Sequence, residues 1–386
     1  MIERKLKEKL LYLATKYPFV LVTGPRQSGK STLVKDAFPD YQYVSLEEMD
    51  NRKYASEDPR GFISTFPRNT IIDEVQRVPE LLSYLQTHTD NEGEEGMYIL
   101  TGSQNLLLLS SVDQSLAGRV GILTLLPFSH EEMSKGGIAP DSVNEEIFRG
   151  GYPRLYDKNI PAEEYYPNYI DTYVERDVRD IKAISNLSLF VKMIKLCAGR
   201  IGQLLNLSSL AVECGVTIPT ISSWLSVLQA SYIVYLLQPD HRNFSKRLVK
   251  TPKLYFYDTG LACSLLEINS ARQVAFHYLR GGLFENMVIN EFVKRCYGKG
   301  NRPSFTFWRD SNGREVDLLM NEGENVKAIE IKSGETYESG YFKNLKYWGG
   351  LSGTDSDNLN VVYAGDQLLR TSQGSLIPWE QITTWH

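Results

Sequence analysis

The sequence predicts an α/β chain: a parallel-sheet core in the first third, a helical domain in the middle and a second α/β domain at the end. Three observations predict it. A short β-rich apolar run, "PFVLV", leads through a glycine-bearing loop into the helically spaced "STLVKDAF". From Leu187 to Leu237 the apolar residues recur at helical spacing. Farther on, the helical "GGLFENMVINEFVKRC" is followed by "FTFWRDSNGREVDLLM", a hairpin, and "NVKAIEIKSG", a strand of period two.

Composition narrows the classes. A length of 386 residues suits two or three compact units, each able to bury a core. With 42% hydrophobic and 23% charged residues the chain is globular, and no apolar run approaches the ~20 residues of a membrane span. No membrane partner is expected. The opening segment places Leu6, Leu10, Leu13 and Tyr17 at helical spacing among lysines and glutamates, unlike a signal peptide, so an amphipathic helix is expected. The cysteines, Cys197, Cys214, Cys263 and Cys296, are too dispersed for zinc knuckles and too few for a disulfide scaffold, which predicts a reduced, cytoplasmic protein. A net charge of −5 gives no global attraction for nucleic acid, so any such site must be a local patch. The run "HRNFSKRLVKTPK", residues 241–253, holds no acidic residue and is the most basic segment.

The loop after the first strand carries the clearest chemistry. Gly24, Pro25, Arg26, Gln27, Ser28, Gly29, Lys30 and Ser31 fit the pattern G-x-x-x-x-G-K-[ST], with Thr32 next in the helix that follows. Glycines let the backbone N–H groups close around phosphate at a helix N-terminus. Lys30 is suited to the β- and γ-phosphates, and the Ser31 hydroxyl to Mg²⁺. In "NTIIDEVQRVPELLSYL" the buried run ends in Asp73, a Mg²⁺ partner through water, and Glu74, a base for the attacking water. A further strand, "MYILTGSQNLLL", ends in Ser103 and Gln104, either of which can sense the γ-phosphate. Arg119 follows Gly118 and has the character of an arginine finger, acting in cis or into a neighbour.

The segments "GPRQSGKSTL", "IIDEVQRVPEL", "LTGSQ", "LAGRVGILTLLPFSHEEM" and "FRGGYPRLY", in this order, resemble the AAA-type P-loop ATPases of bacteria and archaea that carry a C-terminal domain of unknown function. The resemblance runs over nearly the whole chain. It implies ATP as the nucleotide, an α/β ATPase core, and DNA-binding-like and nuclease-like modules behind it; Gly118-Arg119 matches the family's glycine-arginine pair. The Gly-Gly-x-Pro of "FRGGYPRLY" is read as a structural turn.

In the middle, "YYPNYIDTYVERDVRDIKAI" has Tyr166, Ile170, Tyr173, Val174, Val178 and Ile181 near helical spacing, which predicts a long connecting helix. After it, "LSSLAVECGVTIPTISSWLSVLQA" has the layout of a helix-turn-helix: Ser208 or Ser209 as first cap, Gly215 in the turn, a Thr cap and Pro219 opening the second helix. Two strands around the basic run then complete a winged helix. Lys246, Arg247, Lys250 and Lys253 become phosphate contacts, while the second helix, with Thr220, Ser222, Ser223 and Ser226 outward, lacks Arg and Lys for reading bases. A protein-contact role for this domain stands beside DNA contact.

In the last third, period two puts Glu330 and Lys332 on one sheet face, next to a hairpin that carries Asp317 and a helix that carries Glu285. This constellation resembles that of the PD-(D/E)xK nuclease superfamily. Asp317 and Glu330 suit a hard divalent cation, Glu285 a metal-bound water, and Lys332 the nucleophile or the charge on phosphorus. Glu315 is an extra acid without an assigned role. The expected domains are residues 1–146 for the P-loop ATPase, 147–184 for a helical connector, 185–262 for the winged helix and 263–386 for the nuclease-like fold. The expected function is Mg²⁺-dependent ATP hydrolysis on or near DNA. The alternative is a nucleotide-controlled switch that engages a protein partner, with a C-terminal domain that does not cleave. Monomer and homo-oligomer both stay open.

Overall fold

The computed structural model describes residues 2–103, 118–174, 186–240, 249–323 and 325–383. They form two compact units: one comprises the chain up to Phe128 with Ala230–Tyr232 and Cys296–Arg302, the other the remainder.

The first unit is built on a parallel five-stranded sheet in the order β2-β3-β4-β1-β5, from β1 (Phe19–Thr23), β2 (Gln42–Ser45), β3 (Thr70–Asp73), β4 (Tyr98–Gly102) and β5 (Val120–Thr124). β1, β3 and β4 are buried along their whole length, as strands covered on both faces must be, and so they read as unbroken apolar runs. Alternate residues serve opposite faces. Phe19, Leu21, Ile72 and Leu100 pack with α3 (Met49–Glu57), α4 (Pro59–Thr65) and α5 (Leu81–Glu92). Val20, Val22, Ile71 and Ile99 pack with Leu6 and Leu10 of α1 (Leu6–Ala14) and Leu33 and Val34 of α2 (Lys30–Ala37). The expected amphipathic opening helix is therefore present, and its apolar stripe is what it buries. Thr23 lies opposite both Gly102 and Thr124, so the strands end together and present one common carboxyl edge.

The second unit holds an eight-stranded sheet, order β12-β13-β11-β10-β9-β8-β6-β7. Its strands are β6 (Val234–Pro239), β7 (Lys253–Phe256), β8 (Phe305–Arg309), β9 (Glu315–Glu322), β10 (Asn325–Lys332), β11 (Leu359–Tyr363), β12 (Leu369–Thr371) and β13 (Gly374–Pro378). The hairpin β8–β9 turns at Asp310, whose Oδ1 accepts from the N–H groups of Asn312 and Arg314, both at 2.9 Å. The helix pair Leu207–Cys214 and Ile218–Ala230 is bent by 103° about Gly215, which takes the left-handed conformation at φ 72°. Ile221, Trp224, Leu225 and Leu228 are buried and Ser222, Ser223 and Ser226 exposed, as the spacing predicts.

Three expectations change. Asn206, not Ser208 or Ser209, caps the first of these helices: its side chain accepts from the Ser209 N–H at 2.9 Å, because the helix begins at Leu207, two or three positions earlier than the serines suggested. β6 and β7 do pair as the expected hairpin, but Gln238 and Pro239 of β6 also pair in parallel with Thr306 and Phe307 of β8, so one sheet includes strands from both sides of residue 262. The connecting helix is Ala162–Tyr169 followed by a π-helical turn, Ile170–Val174; Val178 and Ile181 lie outside the described residues.

A buried polar network also marks this unit. His130 Nδ1 lies 2.7 Å from Glu146 Oε2, its backbone N–H donates to Glu291 Oε2 at 2.8 Å, and Lys294 Nζ donates to Glu291 Oε1 at 3.0 Å. Among the described residues no single helix is long and apolar enough to cross a membrane.

Candidate functional site

The glycine-lysine loop sits at the carboxyl edge of the first unit's sheet, between β1 and α2. Gly24 has φ 144° and its Cα faces the Leu125 carbonyl so closely that a Cβ would stand 2.1 Å from that oxygen. Gly29, at φ 93°, opens α2. Lys30 is buried inside the loop and donates to the carbonyl oxygens of Gly24 at 3.1 Å and Pro25 at 2.8 Å. The Ser28 hydroxyl is buried there without a hydrogen-bond partner, a donor unmatched by the chain itself. Gln27 takes φ 60°, Pro25 is buried, Arg26 is half-buried, and Thr32 is exposed on the first turn of α2. Arg4, which sequence reasoning passed over, ties the loop down: its guanidinium donates to the carbonyl oxygens of Ser28 at 2.9 Å and Leu126 at 2.6 Å.

Asp73 ends β3 beside this loop and accepts from three hydroxyls. Ser31 Oγ lies 3.0 Å from each carboxylate oxygen, Tyr43 OH 2.7 Å from Oδ2, and Thr101 Oγ1 bonds to Oδ1. Burial, reinforced by Asp73, pushes the Tyr43 phenol well above its usual range, so it stays a donor. Glu74 follows in the left-handed region at φ 58°, with its N–H on Thr101 Oγ1 at 3.3 Å. Its Oε2 accepts from Ser103 Oγ at 3.2 Å and from Gln76 Nε2, and Gln76 Nε2 also donates to Ser103 Oγ at 3.0 Å. Lys30, Ser31, Asp73, Glu74 and Ser103 are thus brought to one edge, while Gln104 lies outside the described residues.

Arg119 is not with them. It precedes Val120, which is in register with Phe19, the first residue of β1, whereas the loop follows the last, some ~13 Å farther along the strand. Its Nε donates to Asp90 Oδ1 of α5 at 2.6 Å in a half-exposed pair. Arg119 thus stands at the opposite end of β1 from the loop of its own chain.

In the second unit, Glu285 on the helix Arg280–Gly298 and Asp317 on β9 converge as expected, but their third partner is Glu315. The ligand atoms of Glu285, Glu315 and Asp317 lie within 4.8 Å of one another. Glu330 stands across from Asp317 on β10, bonded to Lys332 Nζ at 2.6 Å, and its Oε2 is buried without a hydrogen-bond partner. Burial, and then the charge of Asp317, push the Glu330 carboxyl up to about 8; burial likewise raises Glu285 to about 7 against the pull of Lys253.

Lys253 requires a correction. Expected as an exposed phosphate contact, it is buried in β7 with its Nζ 2.8 Å from Glu285 Oε1, bonded to Glu315 Oε1, and 3.7 Å from Asp317 Oδ1. Burial opposes its charge, but the three carboxylates outweigh burial and raise its pKa. Strand parity explains the position: Lys253 and Tyr255 share one face of β7, and the Tyr255 hydroxyl donates to Glu285 Oε1. Lys250 is exposed; Lys246 and Arg247 lie outside the described residues.

Family models match three successive segments of the chain. Residues 16–134 match the AAA domain family, residues 140–272 a domain of unknown function (DUF8612) and residues 280–382 another domain of unknown function (DUF4143). The uncharacterized protein Rv2008c of Mycobacterium tuberculosis is 27% identical over 373 residues, covering 95% of this chain and 81% of that protein. The uncharacterized protein Mb2031c of Mycobacterium bovis is 27% identical over the same length and coverage. Among solved structures, the Walker-type ATPase PABY2304 of Pyrococcus abyssi is similar at TM-score 0.47 and 17% identity, over 69% of this chain and 96% of that one. AMPPCP-bound DnaA from Aquifex aeolicus is similar at TM-score 0.28 and 12% identity, over 58% and 86%. The class that fold and site define is an α/β P-loop core of AAA type. In this particular chain the AAA domain is followed by a C-terminal domain of unknown function.

Proposed function

We propose that this protein binds and hydrolyses ATP with Mg²⁺ and that its C-terminal modules act on or near DNA. The observation that carries the reading is the adjacency of two arrangements at the end of β3: Ser31 with Asp73, and Glu74 held by Ser103 and Gln76. A serine hydroxyl 3.0 Å from a carboxylate suits a hard dication, and the unmatched Ser28 hydroxyl suits a phosphate oxygen. Bound ATP supplies the phosphoanhydride to be broken and Mg²⁺ the countercharge. Lys30 neutralises phosphate charge, Glu74 accepts a proton from the attacking water, and Ser103 reports the γ-phosphate to Glu74. Arg119, directed away from its own loop, acts on the site of a neighbouring copy.

Exposed Lys250 and the bent helix pair support contact with DNA. The second reading, a nucleotide-controlled switch for a protein partner, is favoured by the exposed serines of Ile218–Ala230, a helix with no Arg or Lys, and by the burial of Lys253. Phosphate release with and without duplex or single-stranded DNA separates the two: stimulation supports the first, and a rate unmoved by DNA at low salt supports the second.

A further inference from the structure

We propose that the acidic centre of the second unit carries its own cation, the Lys253 ammonium, and that a divalent cation binds among Glu285, Glu315 and Asp317 only when that side chain is removed. The inference is independent of how the P-loop handles nucleotide. A hard dication held by three carboxylates needs their oxygens at about 2.0–2.6 Å. The point on which these oxygens converge is taken by Lys253 Nζ, 2.8 Å from Glu285, in contact with Glu315 and 3.7 Å from Asp317. A dication set there would lie against a like charge in a buried setting, where repulsion is strongest.

The lysine is fixed in place. Its backbone pairs with Leu237 in β6 and bridges to Leu204, its side chain is 2% exposed, and Nζ lies 5.6 Å from the centre of the Phe307 ring. The carboxylates are committed as well. Glu285 also accepts from Tyr255, Glu315 from Arg309 Nη1 at 2.9 Å, and Asp317 Oδ2 from the Ile331 N–H at 2.8 Å. Glu330 Oε2 is buried without a hydrogen-bond partner, while the other oxygen of that carboxylate accepts from Lys332 Nζ at 2.6 Å and not from Lys253. As they stand, these residues fit an ammonium and not a resident metal, which leaves the site without metal-dependent cleavage while Lys253 is seated.

The two accounts differ in sign. In a metal site awaiting its ion, neutralising one carboxylate relieves repulsion and stabilises the fold; around a seated ammonium, the same change leaves a buried cation short of charge. The test uses the full chain without nucleotide, reading the thermal midpoint in EDTA and in millimolar MnCl₂, with Mn²⁺ binding followed by electron paramagnetic resonance. Wild type is expected to show no Mn²⁺-dependent rise. Lys253→Met should melt lower in EDTA, gain a bound Mn²⁺ and recover with it, and lose that recovery when Asp317→Asn is added. Should Lys253→Met fail to fold, Glu315→Gln and Asp317→Asn in the wild-type background decide, each expected to lower the midpoint in EDTA by a few degrees. A higher midpoint in either variant, a wild-type Mn²⁺ rise that Asp317→Asn abolishes, or a folded Lys253→Met that takes up no Mn²⁺ overturns the proposal.

Discussion

Glu74→Gln separates nucleotide binding from hydrolysis, and the structure sets the size of each effect. The Glu74 side chain bonds to Ser103 and Gln76 rather than to the glycine-lysine loop, so nucleotide affinity should hold within about twofold. The backbone tolerates the change, since Gln27 already adopts φ 60° and Glu74 itself φ 58°. Glutamine keeps an oxygen to accept from Gln76 and Ser103, and exchanging charged acceptor for neutral costs about 1 kcal/mol of stability. What disappears is the proton acceptor. A positioned general base contributes about 10²–10⁴ in rate, or roughly 3–5 kcal/mol of barrier. Steady-state phosphate release should therefore fall by that factor while a fluorescent ATP analogue still binds. A variant turning over within about threefold of wild type would remove Glu74 from the base role and refute the argument.

Arg119→Ala should lower turnover with little effect on nucleotide affinity, and mixing it with Lys30→Ala protein should restore phosphate release in shared sites; no recovery in any mixture would make the Asp90 pair its whole role. Stability should depend on pH through His130. Burial disfavours its charge, yet the hydrogen bond and charge of Glu146, with Glu291 and Glu380 nearby, hold its pKa above the usual 6.5. A raised value means the stabilisation is complete below about pH 6.5 and is lost as pH climbs through the folded value, with a slope up to about 1.4 kcal/mol per pH unit. Glu285 and Glu330, both raised, add a slope of the same sign, so denaturant titrations across that window should show a shallower slope in His130→Gln than in wild type; an unchanged slope would contradict the assignment.

The first site was legible because its chemistry is local. Phosphate binding requires Gly24 and Gly29 at positive φ within one strand-loop-helix turn, and that spacing is written in consecutive residues. Asp73 and Glu74 follow from a buried strand ending in acids. Their hydrogen-bond partners, Tyr43, Thr101 and Gln76, come from neighbouring strands and a turn, and nothing in their own segments marks them. Arg4, just ahead of the opening helix, reaches the loop for a reason visible only after α1 packs on the sheet. In the second site, period two puts Glu330 and Lys332 on one face, and the same rule in "KLYFY" puts Lys253 and Tyr255 on one face, but that these two faces meet depends on the pairing of distant strands. The pairing of β6 with β8 joins residues far apart in sequence, and no local pattern encodes such a register.

Whether the loop around Lys30 holds the phosphates of ATP is measured by calorimetric titration of Mg·ATP into wild-type and Lys30→Ala protein. A buried ammonium bonded to phosphate is worth about 1.5–3 kcal/mol, so wild type should bind at one site per chain and the variant roughly 10–100-fold more weakly. Equal affinity in both proteins, or no binding by the wild type, would contradict the account.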